Sequence, residues 1–210
     1  PALLLPVLSI GQRIETTYLS ESDSTRNMYV AVVPEAGQAT ALLVLLGGSG
    51  YAPHDVLAQT EIPIHAAQQG VMTVIPVLAT GPTSFGMDAA SQSSLKEIID
   101  LVVAKYHLKD KDLYVGGFSV GGTCAVRYAE LAVQEDHAMK PTAVFAINPP
   151  LDWERYYNAA KRVVRISQPD QVNPEVHYML GRIEQEMDGT PTTALENYRA
   201  RSPYSFSDTA

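Results

Sequence analysis

The sequence has few of the residues whose chemistry is easiest to read. Among 210 residues there is one cysteine, Cys124. That excludes an intramolecular disulfide, a thiolate zinc cage and a Cys-x-x-Cys redox pair. A single thiol suits a cytoplasmic protein and many exported ones. No apolar run is long enough to span a bilayer. The most apolar terminus, "PALLLPVLSI" at residues 1–10, is too short and has no basic region. The chain starts at Pro1 without a Met, as it would after removal of a leader, so localisation stays open between cytoplasmic and exported. Runs of Lys or Arg interleaved with aromatics are also missing. With 15 Lys and Arg against 23 Asp and Glu the net charge is -8, and no nucleic-acid partner is expected. There is no His-Glu-x-x-His, no clustered carboxylates and no EF-hand loop, so no metal is expected.

What is present is an ordinary globular composition, 46% hydrophobic and 18% charged, enough for one large domain or at most two small ones. No internal repeat or low-complexity tract interrupts it. Short β-rich runs recur: "NMYVAVVP" (27–34), "TALLVLLGG" (40–48), "VMTVIPV" (71–77), "DLYVGG" (112–117) and "PTAVFAIN" (141–148). Continuous apolar strands of this length predict a parallel sheet covered on both faces.

Helical patterns fill the gaps. "TEIPIHAAQQG" places Pro63 in a first turn and Gly70 at a C-terminal cap. "SLKEIIDLVVAKY" sets Leu95, Ile98, Ile99, Val102 and Tyr106 on one face, with Ser94 and Glu97 spaced as a capping box. "SVGGTCAVRYAELAVQ" (119–134) is a third helix. Strand and helix alternate over 25–150, which predicts an α/β layer fold. From Asp152 to Arg201 the character changes to short polar helices with aromatics, read as an insertion or cap. "RSPYSFSDTA" then reads as a connecting loop. The expected division is a core at 1–150, a helical cap at 151–203 and a loop at 204–210.

The stretch "GFSVGG", Gly117 to Gly122, fits G-x-S-x-G. A strand must reverse into a helix within about one residue here, leaving the serine strained and exposed; side chains two before or two after it would clash. A phosphate-binding loop would need a lysine that does not follow Gly121 or Gly122. The dinucleotide fingerprint cannot be laid on the stretch either, so no cofactor is expected. The glycines could alternatively serve only close helix–strand packing. A second glycine loop, "LLGGSGYAPHD" (45–55), follows the expected strand at 40–48. Its bared N–H groups, from Gly48 and Ser49, could join Val120 N–H in binding an oxyanion, or the loop could be a plain strand-to-helix turn.

These two features together resemble the α/β-hydrolases of the esterase and lipase kind. "GFSVGG" resembles their nucleophile elbow, and "LGGSG" resembles their H-G-G-G-type oxyanion loop with Leu46 in place of His. The resemblance covers about 25–150. It implies a three-layer α/β sandwich with a mostly parallel sheet, helices on both faces and a helical cap after the sixth strand. It implies Ser119 as nucleophile, an oxyanion hole of Gly48, Ser49 and Val120, and a small-molecule ester or acyl substrate. The family orders its triad Ser, then Asp or Glu, then His, with the last two after further strands. No apolar strand follows Ile147, so the C-terminal part of such a core is expected to be absent. The resulting unpaired sheet edge would favour self-association into a homo-oligomer.

Internal substitutes for the acid and base are few. Asp152, after "INPPL", is a candidate acid or an N-cap for the following helix. Trp153, Tyr156 and Tyr157 would form an apolar wall or pack the cap down. His177 falls in the cap and could face the site. His137, in "QEDHAMK", is expected on an exposed helix end. His54 would line a pocket or start a helix. Cys124 is read as a small core residue. A non-catalytic ligand-binding protein of the same fold is the competing expectation.

Overall fold

The computed structural model describes residues 12–20, 23–34 and 39–205. The apolar terminus at 1–10 and residues 206–210 of the expected connecting loop lie outside them. Strands β1 (Gln12–Tyr18), β2 (Met28–Pro34), β3 (Ala41–Leu46), β4 (Val71–Val77), β5 (Asp112–Phe118) and β6 (Ala143–Ile147) form one sheet in the order β1-β2-β4-β3-β5-β6. The pairs β3–β4, β3–β5 and β5–β6 are parallel. The pairs β1–β2 and β2–β4 are antiparallel.

β3 shows why its sequence is apolar throughout. Leu42, Val44 and Leu46 pack into the cluster beneath one helical layer, while Leu43 and Leu45 pack into the cluster beneath the other. A strand with two buried faces has no polar position to offer. β1 is the opposite case and was not anticipated. Its sequence QRIETTY has no buried residue. It is held by pairing along its whole length with β2, from Gln12 opposite Pro34 to Tyr18 opposite Met28. An edge strand open to water carries no apolar run to announce it.

On one face lie α1 (Pro53–Gln59) and α2 (Ile62–Gln68), which set Val56, Leu57 and Ile62 against Leu43, Leu45 and Ile75. On the other lie α3 (Ala89–Lys105) and α4 (Val120–Gln134), where Leu95, Ile98, Ile99 and Val102 are buried with Val44, Val115 and Tyr128. α3 begins five residues before the expected Ser94. Its N-cap is Asp88, which accepts from Ser91 N–H at 3.0 Å. Ser94 lies buried inside the helix and accepts from Ala79 N–H at 2.9 Å. The first turns are polar because the Ser91 and Ser94 hydroxyls and the Gln92 amide nitrogen find partners in neighbouring segments, which hides the apolar period there.

The first face is covered less completely than the continuous apolar strands suggest. α1 and α2 are seven residues each. Beyond them Tyr114, Phe118 and Phe145 are only half-buried, and Ile147 is exposed on the edge strand β6.

After β6 come α5 (Trp153–Ile166), a single 3-10 turn at 169–171, α6 (Pro174–Glu186) and α7 (Leu195–Arg201). Trp153, Tyr157, Ile183, Met187 and Tyr198 form a buried cluster that takes in Phe85, Met87 and Val120 from the sheet's loops and α4. Each large apolar side chain so buried contributes roughly 1.5–3 kcal/mol. Among the described residues no helix is long and apolar enough to cross a membrane.

Candidate active site

Ser119 is the single residue between β5 and α4. Its N–H continues the sheet by donating to Ile147 O at 2.9 Å, while its carbonyl already accepts from Gly122 N–H at 2.9 Å and Thr123 N–H at 3.3 Å. To serve both elements it adopts φ 52 and ψ -126, a region non-glycine residues enter at a cost of order 1–3 kcal/mol. The flanking glycines explain how the corner closes. A side chain at Gly117 would come within 2.5 Å of Gly121 backbone, and one at Gly121 would overlap Gly47 O. The corner thus brings strand, helix and the loop after β3 into backbone contact, and leaves the Ser119 side chain exposed beside a buried Val120.

Two backbone segments flank that side chain, the start of α4 and the glycine loop after β3. Val120 opens α4, so its N–H has no partner within the helix and carries the positive end of the helix dipole. Gly48 lies across from it: a Cβ there would stand 3.8 Å from Ser119 Cβ. The loop bearing Gly48 and Ser49 is fixed from outside. Gly50 N–H donates to Pro82 O at 2.8 Å. Ser49 Oγ is 3.4 Å from both Thr83 O and Tyr178 Oη. Arg182 on α6 donates to Thr83 O at 2.9 Å and pairs with Glu186 at 2.6 Å. α6 therefore reaches the glycine loop through the segment at 82–83.

Two cavities open on either side of the serine corner. The larger, about 300 Å³, is lined by Ser119, Asn148, Pro150, Tyr156, Glu175 and Met179. Burial, followed by the nearby Glu175 charge, raises the Tyr156 phenol above its ordinary range. The smaller, about 40 Å³, is bounded by Gly48, Val120, Leu78, Phe85, Gly86 and Cys124. Cys124 is a buried core thiol pushed up to about 12 by desolvation, which leaves it protonated and inert as a nucleophile.

Of the residues singled out in sequence, Ser119, Val120 and Gly48 come together, while Ser49 follows Gly48 in the loop with its hydroxyl at Thr83 and Tyr178. The others do not join them. Asp152 is the N-cap of α5, and its Oδ1 accepts from Arg155 N–H at 3.0 Å. Trp153 is fully buried, stacked on Phe85 with centroids 4.8 Å apart, so it anchors the helical segment and lines neither cavity. His177 is exposed on α6. Glu175, Tyr178, Met179 and Arg182 face the cavity and the loop, and the helical period sets His177 on the opposite side. His54 sits exposed in the first turn of α1. His137 corrects its expectation: its side chain is only 8% exposed, set against Tyr128 and 3.0 Å from Glu135. Among the described residues the Ser119 hydroxyl has no side-chain hydrogen-bond partner. Among them, too, no group of three or more His, Cys, Asp or Glu is placed to hold a metal ion.

Sequence reasoning missed Asn148, Glu175 and Met179 in the larger cavity and Arg182 behind the glycine loop. Asn148 had one available signal. It follows β6 directly and takes a positive φ of 54 before two prolines, the kind of turn at which Asn is tolerated.

The sheet order and the helices on both faces are those of the α/β-hydrolase fold. Neither a protein-family model nor a curated protein matches the chain. Solved structures do. Carboxyl esterase 2 from the fungus Tuber melanosporum is 11% identical with a TM-score of 0.61, over 92% of this chain and 60% of that one. An esterase of Pyrobaculum calidifontis is 16% identical with a TM-score of 0.57, over 90% and 61%. The fluorophosphonate-binding serine hydrolase F of Staphylococcus aureus is 13% identical with a TM-score of 0.52, over 85% and 76%. The chain spans about three fifths of the length of the two esterases.

Proposed function

We propose that the protein is a serine hydrolase of the carboxylesterase kind, acting on a small-molecule ester or related acyl bond through Ser119. The observation that carries this reading is the exposed, strained serine at a corner packed so tightly that Gly117 and Gly121 leave no room for a side chain. Close packing alone would not require a serine with positive φ at the apex. The fold shared with esterases supports it.

In this reading Ser119 Oγ forms a bond to the acyl carbon and gives its proton to a base. The carbonyl electron pair moves onto oxygen, where Val120 N–H and the Gly48–Ser49 backbone receive it. Collapse of that intermediate expels the alcohol, which takes up the proton, and water then releases the acid. Helices α5–α7 act as a cap, supplying Tyr156, Glu175 and Met179 to the cleft beside Ser119.

A second reading is a non-catalytic ligand-binding protein of this fold. It is favoured by one observation: among the described residues no side chain is hydrogen-bonded to Ser119, and an unassisted hydroxyl is a weak nucleophile. Hydrolysis of p-nitrophenyl acetate separates the two. The hydrolase reading expects turnover that falls by at least about a thousandfold in Ser119→Ala. Turnover unchanged in Ser119→Ala removes Ser119 as nucleophile, and no turnover by the wild type favours the binding protein.

A further inference from the structure

Resting on the assignment of Ser119 as nucleophile and of the loop after β3 as an oxyanion loop, we infer that Arg182 is a positioning residue for the reaction. From α6 it fixes the segment at 82–83, and through that segment the glycine loop that faces Ser119.

The loop at 48–50 has little of its own to hold it in place. Tyr51 N–H donates to Gly48 O at 3.1 Å, which only closes a turn within the loop. Among the described residues the Gly48 and Ser49 N–H groups make no hydrogen bond, as donors kept for an oxyanion require. The remaining hydrogen bonds of the loop all lead the same way. Gly50 N–H donates to Pro82 O at 2.8 Å, and Ser49 Oγ is 3.4 Å from both Thr83 O and Tyr178 Oη on α6. Where Pro82 and Thr83 go, the loop follows.

That segment is in turn held from α6. Pro82 and Thr83 are exposed, and the turn they occupy closes on a long bond, Ser84 N–H to Gly81 O at 3.3 Å. Arg182 Nη2 donates to Thr83 O at 2.9 Å, the same carbonyl that the Ser49 hydroxyl approaches. The guanidinium itself cannot swing. Its Nη1 donates to Gln185 Oε1 at 2.7 Å and its Nη2 to Glu186 Oε1 at 2.6 Å. It also lies 5.9 Å from the centre of the Phe85 ring, which is stacked on Trp153. The Arg182 and Glu186 side chains are only 23% and 13% exposed, and charge-assisted bonds shielded in this way are the strong ones. A planar fork serves these partners at fixed angles, which an ammonium group does not.

Arg182 lines neither cavity at the serine corner, so it acts through the loop and not on the substrate. Donors aimed at an oxyanion stabilise the transition state more than the bound ester. A loop set loose by loss of Arg182 therefore shows in kcat and spares KM.

Steady-state hydrolysis of p-nitrophenyl acetate by the intact protein and its variants tests this. Arg182→Ala is expected to lower kcat at least about tenfold with KM within about threefold. Arg182→Lys, which keeps a cation for Glu186 and one donor for Thr83 O, is expected to recover at least about threefold of that loss. If Arg182→Ala does not fold, Arg182→Gln takes its place with the same expectation. Tyr157→Phe is the control for a loosened cap, because it removes the Tyr157–Glu184 hydrogen bond between α5 and α6 without touching the segment at 82–83. Its kcat is expected to stay within about twofold of wild type. An unchanged kcat in Arg182→Ala, a loss that falls on KM instead, no recovery in Arg182→Lys, or an equal loss in Tyr157→Phe overturns the inference. Ser119→Ala is run alongside. Hydrolysis lost in Ser119→Ala while Arg182→Ala keeps its kcat sinks only the positioning role. Hydrolysis that persists in Ser119→Ala, or is absent from the wild type, sinks the underlying assignment together with it.

Discussion

At Ser119 one residue finishes a strand and begins a helix, and the glycines around it are explained by what a β-carbon would strike. Gly121 faces a backbone oxygen, Gly47 O, which cannot rotate away. Gly121→Ala is therefore expected to lower stability by ~1–3 kcal/mol, read as a shift in denaturant midpoint, and to displace the serine. Gly181 is the contrasting case. It lies within α6 with nothing within 4 Å of its β-carbon position, so Gly181→Ala is expected to stabilise by about 0.5–1 kcal/mol. Equal effects at the two sites would contradict the close-approach account. This part of the site was legible in "GFSVGG", because a sharp corner leaves its requirement for small residues in the local sequence.

Elements with two buried faces or one apolar stripe were equally legible. β4 spans the expected 71–77, and α5 the expected "WERYYNAAKRVVRI". Elements held by something other than apolar periodicity were not. β1 is polar and depends on its pairing with β2. The first turn of α3 is capped by Asp88 and buried through hydroxyl and amide contacts. Asp152 belongs to this scale as well. Its carboxylate caps α5, so Asp152→Asn is expected to hold stability within about 0.5 kcal/mol, Asn being an equally good cap, whereas Asp152→Ala costs ~1 kcal/mol. Hydrolysis should survive the Asn change. A loss of about ten-thousandfold in Asp152→Asn would instead mark it as the acid of a triad.

Across the whole molecule, the candidate site draws on segments far apart in the chain, and this is why only half of it could be read in advance. The corner and the glycine loop carry their own local signatures. The large cleft is assembled from the turn after β6 together with α5 and α6, whose residues Asn148, Tyr156, Glu175 and Met179 have no shared spacing in sequence. The small cavity depends on the loop at 78–86 being pressed between α4 and the helices after β6, through Phe85 on Trp153 and Arg182 on Thr83. His137 was misjudged for the same reason. Its charged neighbours suggested water, while the fold sets it against Tyr128.

The central claim is that this assembly makes Ser119 a reactive nucleophile. The most direct measurement is mass spectrometry of the protein after exposure to a fluorophosphonate, which traps activated serines as stable phosphonyl adducts. One adduct is expected, located on the peptide carrying Ser119 and absent from Ser119→Ala. An adduct that forms equally in Ser119→Ala, or none in the wild type at saturating probe, would contradict it.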